Sequence, residues 1–239
     1  MIRKVLASAL LSGLLAGVLV TVLQHFTTTP LILHAEEFED DGRDHAFLDS
    51  FYAGGDFILA HDGEEHGGEA WAPEEGMERM FYTFVANLIA GVGFALLLVA
   101  GFVLYGKPVD ARRGVIWGIA GFATFAIAPA LGLPPEVPGS MAAELGARQA
   151  WWLLTAVATG AGLWCLVLSA RSWVKVLGVV LIVLPHIVGA PRPDEIGGPV
   201  PPELAGHFVA ASLVTAFVFW AVLGWLAGRC YERFAGSPA

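Results

Sequence analysis

The chain has 239 residues, 56% of them apolar and 15% charged, with a mean hydropathy of +0.66; soluble domains average about 25% charged residues, so the composition argues against a water-soluble enzyme. Its 29 Gly and 14 Pro are scattered among long apolar runs, which excludes collagen-like, coiled-coil and disordered chains. Two cysteines, Cys165 and Cys230, supply neither a disulfide framework nor a thiolate metal cage.

A bilayer core about 30 Å thick needs roughly 20 apolar residues per helix. The apolar stretches predict an all-α integral membrane protein of about six transmembrane helices, over residues 5–25, 80–105, 114–133, 149–170, 176–190 and 206–228. Arg3 and Lys4 precede the first stretch, as in a signal peptide, but its apolar run is longer than an h-region and no A-x-A site follows. We expect an uncleaved helix.

Between the first two spans lies segment 27–79, which holds 15 of the 22 acidic residues and only Arg43 and Arg79 as bases, a charge of −13 within a chain of net −9. Such a segment repels nucleic acid and attracts cations. Within it, His61-Asp62-Gly63-Glu64-Glu65-His66 sets two imidazoles among carboxylates, and His34 with Glu36 and Glu37 follows the first span. Mixed imidazole and carboxylate donors suit cobalt, nickel or zinc. Both groups are also compatible with a solvated acidic loop holding no ligand.

Placing the N-terminus inside gives the inner segments nine Lys and Arg and the outer segments four, so the positive-inside rule predicts both termini on the cytoplasmic side of a bacterial-type inner membrane. Trp117, Trp173 and Trp225 fall at the inner ends and Trp151 and Trp152 at an outer end, as interfacial belts require. The acidic segment then faces outward.

Pro134-Pro135-Glu136-Val137-Pro138-Gly139 and Pro201-Pro202-Glu203-Leu204-Ala205-Gly206 share the pattern PPExxG, each preceded by an Ala-Pro pair at 128–129 and 190–191. The third and fourth spans thus correspond to the fifth and sixth as repeated helical hairpins. Proline-interrupted repeats point to a transport site, because a broken helix frees carbonyls that can coordinate a cation. Prolines that merely end helices at the membrane surface produce the same pattern.

His186 lies 11 residues past Lys175, roughly 16 Å along a helix, where an ionisable group is costly and often functional. A neutral imidazole bonded to a neighbouring helix is the alternative. His207 follows Glu203 by four residues and shares its helical face if the helix has begun, either to share a cation or to form a helix-start hydrogen bond. Arg148 is expected to pair with Glu144 or Glu136. No nucleotide-binding, serine hydrolase or H-E-x-x-H motif is present, so we expect no enzyme and no resident cofactor; the residual catalytic option is His186 as base beside Arg148 as anion clamp.

The chain resembles the probable cobalt transporter subunit family, CbtA. The resemblance rests on Pro30-Leu31-Ile32-Leu33 with Ala35-Glu36, on Trp71-Ala72-Pro73 with Gly76-Met77-Glu78-Arg79, and on Pro129 to Gly139. Arg148-Gln149-Ala150-Trp151-Trp152 and Pro185 to Pro191 complete it. It implies five or six membrane helices, a role in cobalt uptake for cobalamin synthesis, and a small single-span partner bearing histidines, CbtB. The family's motif residues fall on Glu36, Glu78, Arg79, Glu136, Arg148, His186 and Glu203. From the residues themselves, metal contacts are expected at His34, Glu36, Glu37, His61, Glu65, His66, Glu136, His186, Glu203 and His207, with Co2+ or Ni2+ as transported ion. Imidazole binds metal in its neutral form, so uptake should fall below about pH 6. The competing reading is a non-transporting scaffold that docks the single-span partner; glycine-rich faces also suit a homo-oligomer.

Overall fold

The computed structural model describes residues 2–38, 73, 76–193 and 197–235. These form seven helices and no strand: α1 (Ile2–Phe26), α2 (28–38), α3 (Met77–Tyr105), α4 (Ala111–Ala130), α5 (Leu145–Leu168), α6 (Ser172–Val188) and α7 (Pro202–Ala235). Five of them, α1, α3, α4, α5 and α7, are long and apolar enough to cross a membrane. The 17 residues of α6 extend roughly 25 Å, short of that length.

Lipid cannot drive apolar helices together, so membrane bundles rely on backbones brought close by small residues. Three glycine seams do this. In the first, Gly13 and Gly17 of α1 meet Gly91 and the Asn87–Leu88 turn of α3; a Cβ on Gly91 would overlap the Gly13 carbonyl oxygen, closer than any van der Waals contact allows. The second joins α4 to α7, with Gly114 against Gly224 and Gly228, and Gly118 against Trp220 and Gly224. Gly162 of α5 and Gly178 of α6 form the third.

The seams also fix direction. Residue numbers run oppositely across each one, and Thr27 Oγ1 lies 3.1 Å from Thr215 Oγ1 while Val5 and Tyr231 pack on the same core. Along α4 and α5 the order is reversed again, with Trp117 beside Trp164, Thr124 beside Gly160 and Phe125 beside Trp152. Hence α1, α3, α4, α5, α6 and α7 alternate in direction. Both described termini lie at one end of the bundle, here the terminal end, and α2, the 131–144 segment and the start of α7 lie at the other, the loop end.

The main core, Ala9, Ala16, Leu98, Val99, Phe102, Leu223 and Ala227 among others, joins α1, α3 and α7. A second, smaller core at the loop end packs Ala35 of α2 on Val137, Leu204 and Phe208. The α5–α6 hairpin stands to one side, touching the rest mainly through the loop-end half of α4. There Pro129, which lacks an N–H and would collide with the preceding turn, is accommodated by a π-helical turn at Ala123–Ile127.

The two PPExxG copies take different conformations. Residues 134–139 form a loop, with Gly139 at φ 77°, whereas Pro202 opens α7 and the Pro201 carbonyl accepts from the Leu204 and Ala205 N–H groups. Neither do the hairpins expected from the repeat pack as units: α5 pairs with α6, and α4 with α7.

Candidate functional site

At the loop end, a cleft of about 540 Å³ opens between the end of α4, the start of α5 and α7. Pro134, Pro135 and Glu136 form one wall, Arg148, Gln149 and Trp152 another, and Ser212, Leu213 and Ala216 the third. Phe125 and Pro129 of the distorted α4 turn close its floor. On α7 the cleft is lined by Ser212, Leu213 and Ala216, roughly three to four turns beyond Pro202.

Its charged groups are paired. Arg148 Nη2 donates to Glu136 Oε2 at 2.5 Å, tying the PPExxG loop to the first turn of α5. Glu144 is not the partner of Arg148. It caps α5 instead, its carboxylate accepting the Gly146 and Ala147 N–H groups at 2.6 Å. Those bonds hold the Glu144 carboxyl below its ordinary range, because they favour the ionised form.

A second ion pair braces the neighbouring side of the loop end. The Arg79 guanidinium at the start of α3 grips both carboxylate oxygens of Glu36 on α2, the bidentate arrangement that fits a planar fork. The sequence singles out both residues, yet nothing in their 43-residue separation announces that they meet. His34 and Glu37 are exposed on the same helix, His34 with its ring 5.3 Å from Phe38.

His186 sits in the last turn of α6, half-buried, with its ring edge-on to Trp151 at 5.9 Å. The helix continues through Pro185 and ends at Val188. The Pro185 carbonyl accepts the Trp151 indole N–H at 3.3 Å and the Gly189 N–H at 3.0 Å. Below Trp151 on the same face of α5 come Thr155 and Thr159, 0% and 3% exposed, whose hydroxyls have no hydrogen-bond partner. Nothing in the sequence marks these two hydroxyls. Glu203 and His207 share one exposed face of α7 without a hydrogen bond between them, while Leu204 and Phe208, one residue further round the helix, fill the second core.

The expected contacts His61, Glu65 and His66 lie outside the described residues. Among the described residues, no three His, Cys, Asp or Glu side chains come together as a metal-holding group. Glu136 and His186 are thus placed at the loop end on different elements, one bound to Arg148 and one against Trp151.

The sequence profile of the probable cobalt transporter subunit family matches residues 2–232. The chain belongs to the CbtA family. The match spans α1 to α6, all but the last three residues of α7 and both PPExxG copies, and with the five long apolar helices it makes this CbtA protein a multi-pass membrane subunit of a cobalt transporter. Neither the curated proteins nor the solved structures contain a match to it.

Proposed function

We propose that this CbtA protein is the membrane passage of a Co2+ uptake system supplying cobalamin synthesis, crossing a bacterial-type inner membrane six times with both termini cytoplasmic. The alternation of six helices and the nine-to-four distribution of basic residues support that topology. The outer segment 27–79, with His34, Glu36, Glu37, His61, Glu65 and His66, gathers the cation by its charge. The loop-end cleft then receives it.

One observation carries this reading: a cleft between α4, α5 and α7 has the family's Glu136 in its wall. A cation that takes the place of Arg148 at Glu136 gains a carboxylate, and the freed Arg148 guanidinium must turn to solvent or to another acceptor. His186, with the unpartnered hydroxyls of Thr155 and Thr159 inward of it, supplies further donors, and Glu203 with His207 faces the outer side at the start of α7. Replacing Glu136 with Gln keeps the shape and removes the charge. Radiolabelled Co2+ uptake by cells at matched expression should fall in Glu136→Gln, and again in His186→Ala; wild-type uptake in both variants would eliminate the cleft and His186 from the path.

A specific observation favours a second reading. Since the described residues bring no three metal-binding side chains together, a docked His-bearing single-span subunit can complete the ligand set, and this chain then acts as its scaffold. Proteoliposomes separate the two: a passage fills with Co2+ when this chain is reconstituted alone, a scaffold only when the partner is added.

A further inference from the structure

Along the other side of α4 runs an apolar groove of about 560 Å³, between α3 and α4 on one flank and α5 on the other. It exists because the α5–α6 hairpin joins the bundle mainly near the loop end, leaving the terminal-end halves of α4 and α5 bridged by side chains. Small residues, Ala120, Gly121, Ala156 and Gly160, line its middle, and Trp117 and Trp164 meet edge-on in it at 6.2 Å. From Leu153 to Leu168 it follows α5 for roughly 22 Å, the depth of most of one bilayer core.

One end of this groove is cationic. Arg113 lines it at the terminal end, held there by a bond from Nη1 to the Pro108 carbonyl at 2.6 Å. Tyr105 also lines that end, and the Lys107 ammonium lies 5.3 Å over its ring. Asp110 is the nearby acid on the same turn; its carboxylate accepts the Arg113 backbone N–H and caps α4. Among the described residues neither Arg113 nor Lys107 forms an ion pair, so two positive charges stand at the mouth of an apolar channel.

We propose that the groove is a binding site for an anionic phospholipid, with the acyl chain laid between α4 and α5 and the phosphate held by Arg113 and Lys107. Basic pockets between membrane helices recognise anionic headgroups in this way. A neutral partner helix would fill the apolar length but leave both cations without a counter-charge; a phosphate supplies one. The site lies beside the Trp117–Trp164 ring contact, where α4 and α5 meet toward the terminal end. It needs only that the bundle spans a bilayer, so it stands or falls independently of cobalt transport.

Native mass spectrometry of the full chain in detergent micelles doped with equal phosphatidylglycerol and phosphatidylcholine tests this. One phosphatidylglycerol should be retained in preference to phosphatidylcholine by about thirtyfold, the factor that two juxtamembrane cations supply. The double variant Lys107→Gln, Arg113→Gln should bring the two lipids to parity, and Lys107→Arg, Arg113→Lys should keep the preference. Gly160→Leu, whose Cβ meets only Thr124 Cγ2 at 3.4 Å, should exclude both lipids at an unchanged melting temperature. Equal retention by the wild type, or a preference surviving the Gln variant, would overturn the proposal. So would a dimer in the wild-type spectrum that Gly160→Leu abolishes, since the groove would then seat a second copy.

Discussion

Gly118→Ala adds one methyl group at one of the two tightest points between α4 and α7, the other being Gly114. An ideal Cβ there would stand 2.2 Å from the Trp220 carbonyl oxygen and 3.1 Å from Gly224 Cα. Ordinary contact begins near 3.4 Å, so the helices must part by roughly 1 Å, and a gap of that size forfeits a quarter to a half of the dispersion energy of the atoms lining it. Only backbone opposes the new methyl, and no side chain can swing aside. Overpacking of this kind costs about 1–3 kcal/mol, and the rigid surroundings place this case near 3 kcal/mol. Gly93→Ala on the exposed face of α3, with nothing within 4 Å of its Cβ, is the matched control and should gain about 0.5–1 kcal/mol from helix propensity. SDS titration of the purified protein in mixed micelles, read by tryptophan fluorescence, compares them. Equal unfolding midpoints for the two variants would refute the claim that glycine contact sets the α4–α7 spacing.

Two further outcomes follow from the loop end. The Glu144 carboxyl is held below its ordinary range when folded, so its contribution is present above the unfolded value and is lost as pH falls through the lowered folded one; Glu144→Gln should flatten that acid-side loss of thermal stability, and an unaltered acid profile would contradict the cap. Trp151→Phe removes the indole N–H that meets the Pro185 carbonyl, which should lower stability by about 1 kcal/mol and broaden the His186 imidazole resonances as its ring contact loosens; identical melting and spectra would show that the contact holds nothing in place.

Much of the architecture is readable from where charges interrupt apolar runs. The helix Met77–Tyr105 covers the stretch 80–105, and Leu145–Leu168 covers most of 149–170. The last helix overshoots, from an expected 206–228 to Pro202–Ala235, because charged residues such as Arg229 and Glu232, which pair with each other, are good helix formers and do not end a helix when they leave lipid. Helix α2 was not legible. Its Pro30 is tolerated in a first turn, and its stability comes from Ala35 packing on Val137, Leu204 and Phe208, contacts between residues more than a hundred positions apart.

The site was legible in part for the same reason. Arg148 had two carboxylates within reach in sequence, and the backbone N–H groups at the start of α5 decide between them by engaging Glu144. The bond between Arg79 and Glu36, the π-helical turn at Ala123–Ile127 and the unpartnered hydroxyls of Thr155 and Thr159 depend on how helices meet, which periodicity does not encode. The repeat is visible as a motif but not as a shared conformation: one copy must loop over the cleft while the other starts a helix.

Cobalt entry into proteoliposomes carrying the purified chain alone, wild type against Ser212→Phe, tests the passage most directly. Ser212 faces the loop-end cleft from α7, and a phenyl ring there fills the space without changing any charge. Saturable Co2+ uptake is expected of the wild type, and uptake at the level of protein-free vesicles of Ser212→Phe with its fold intact. Equal filling by the two would contradict a passage through the cleft.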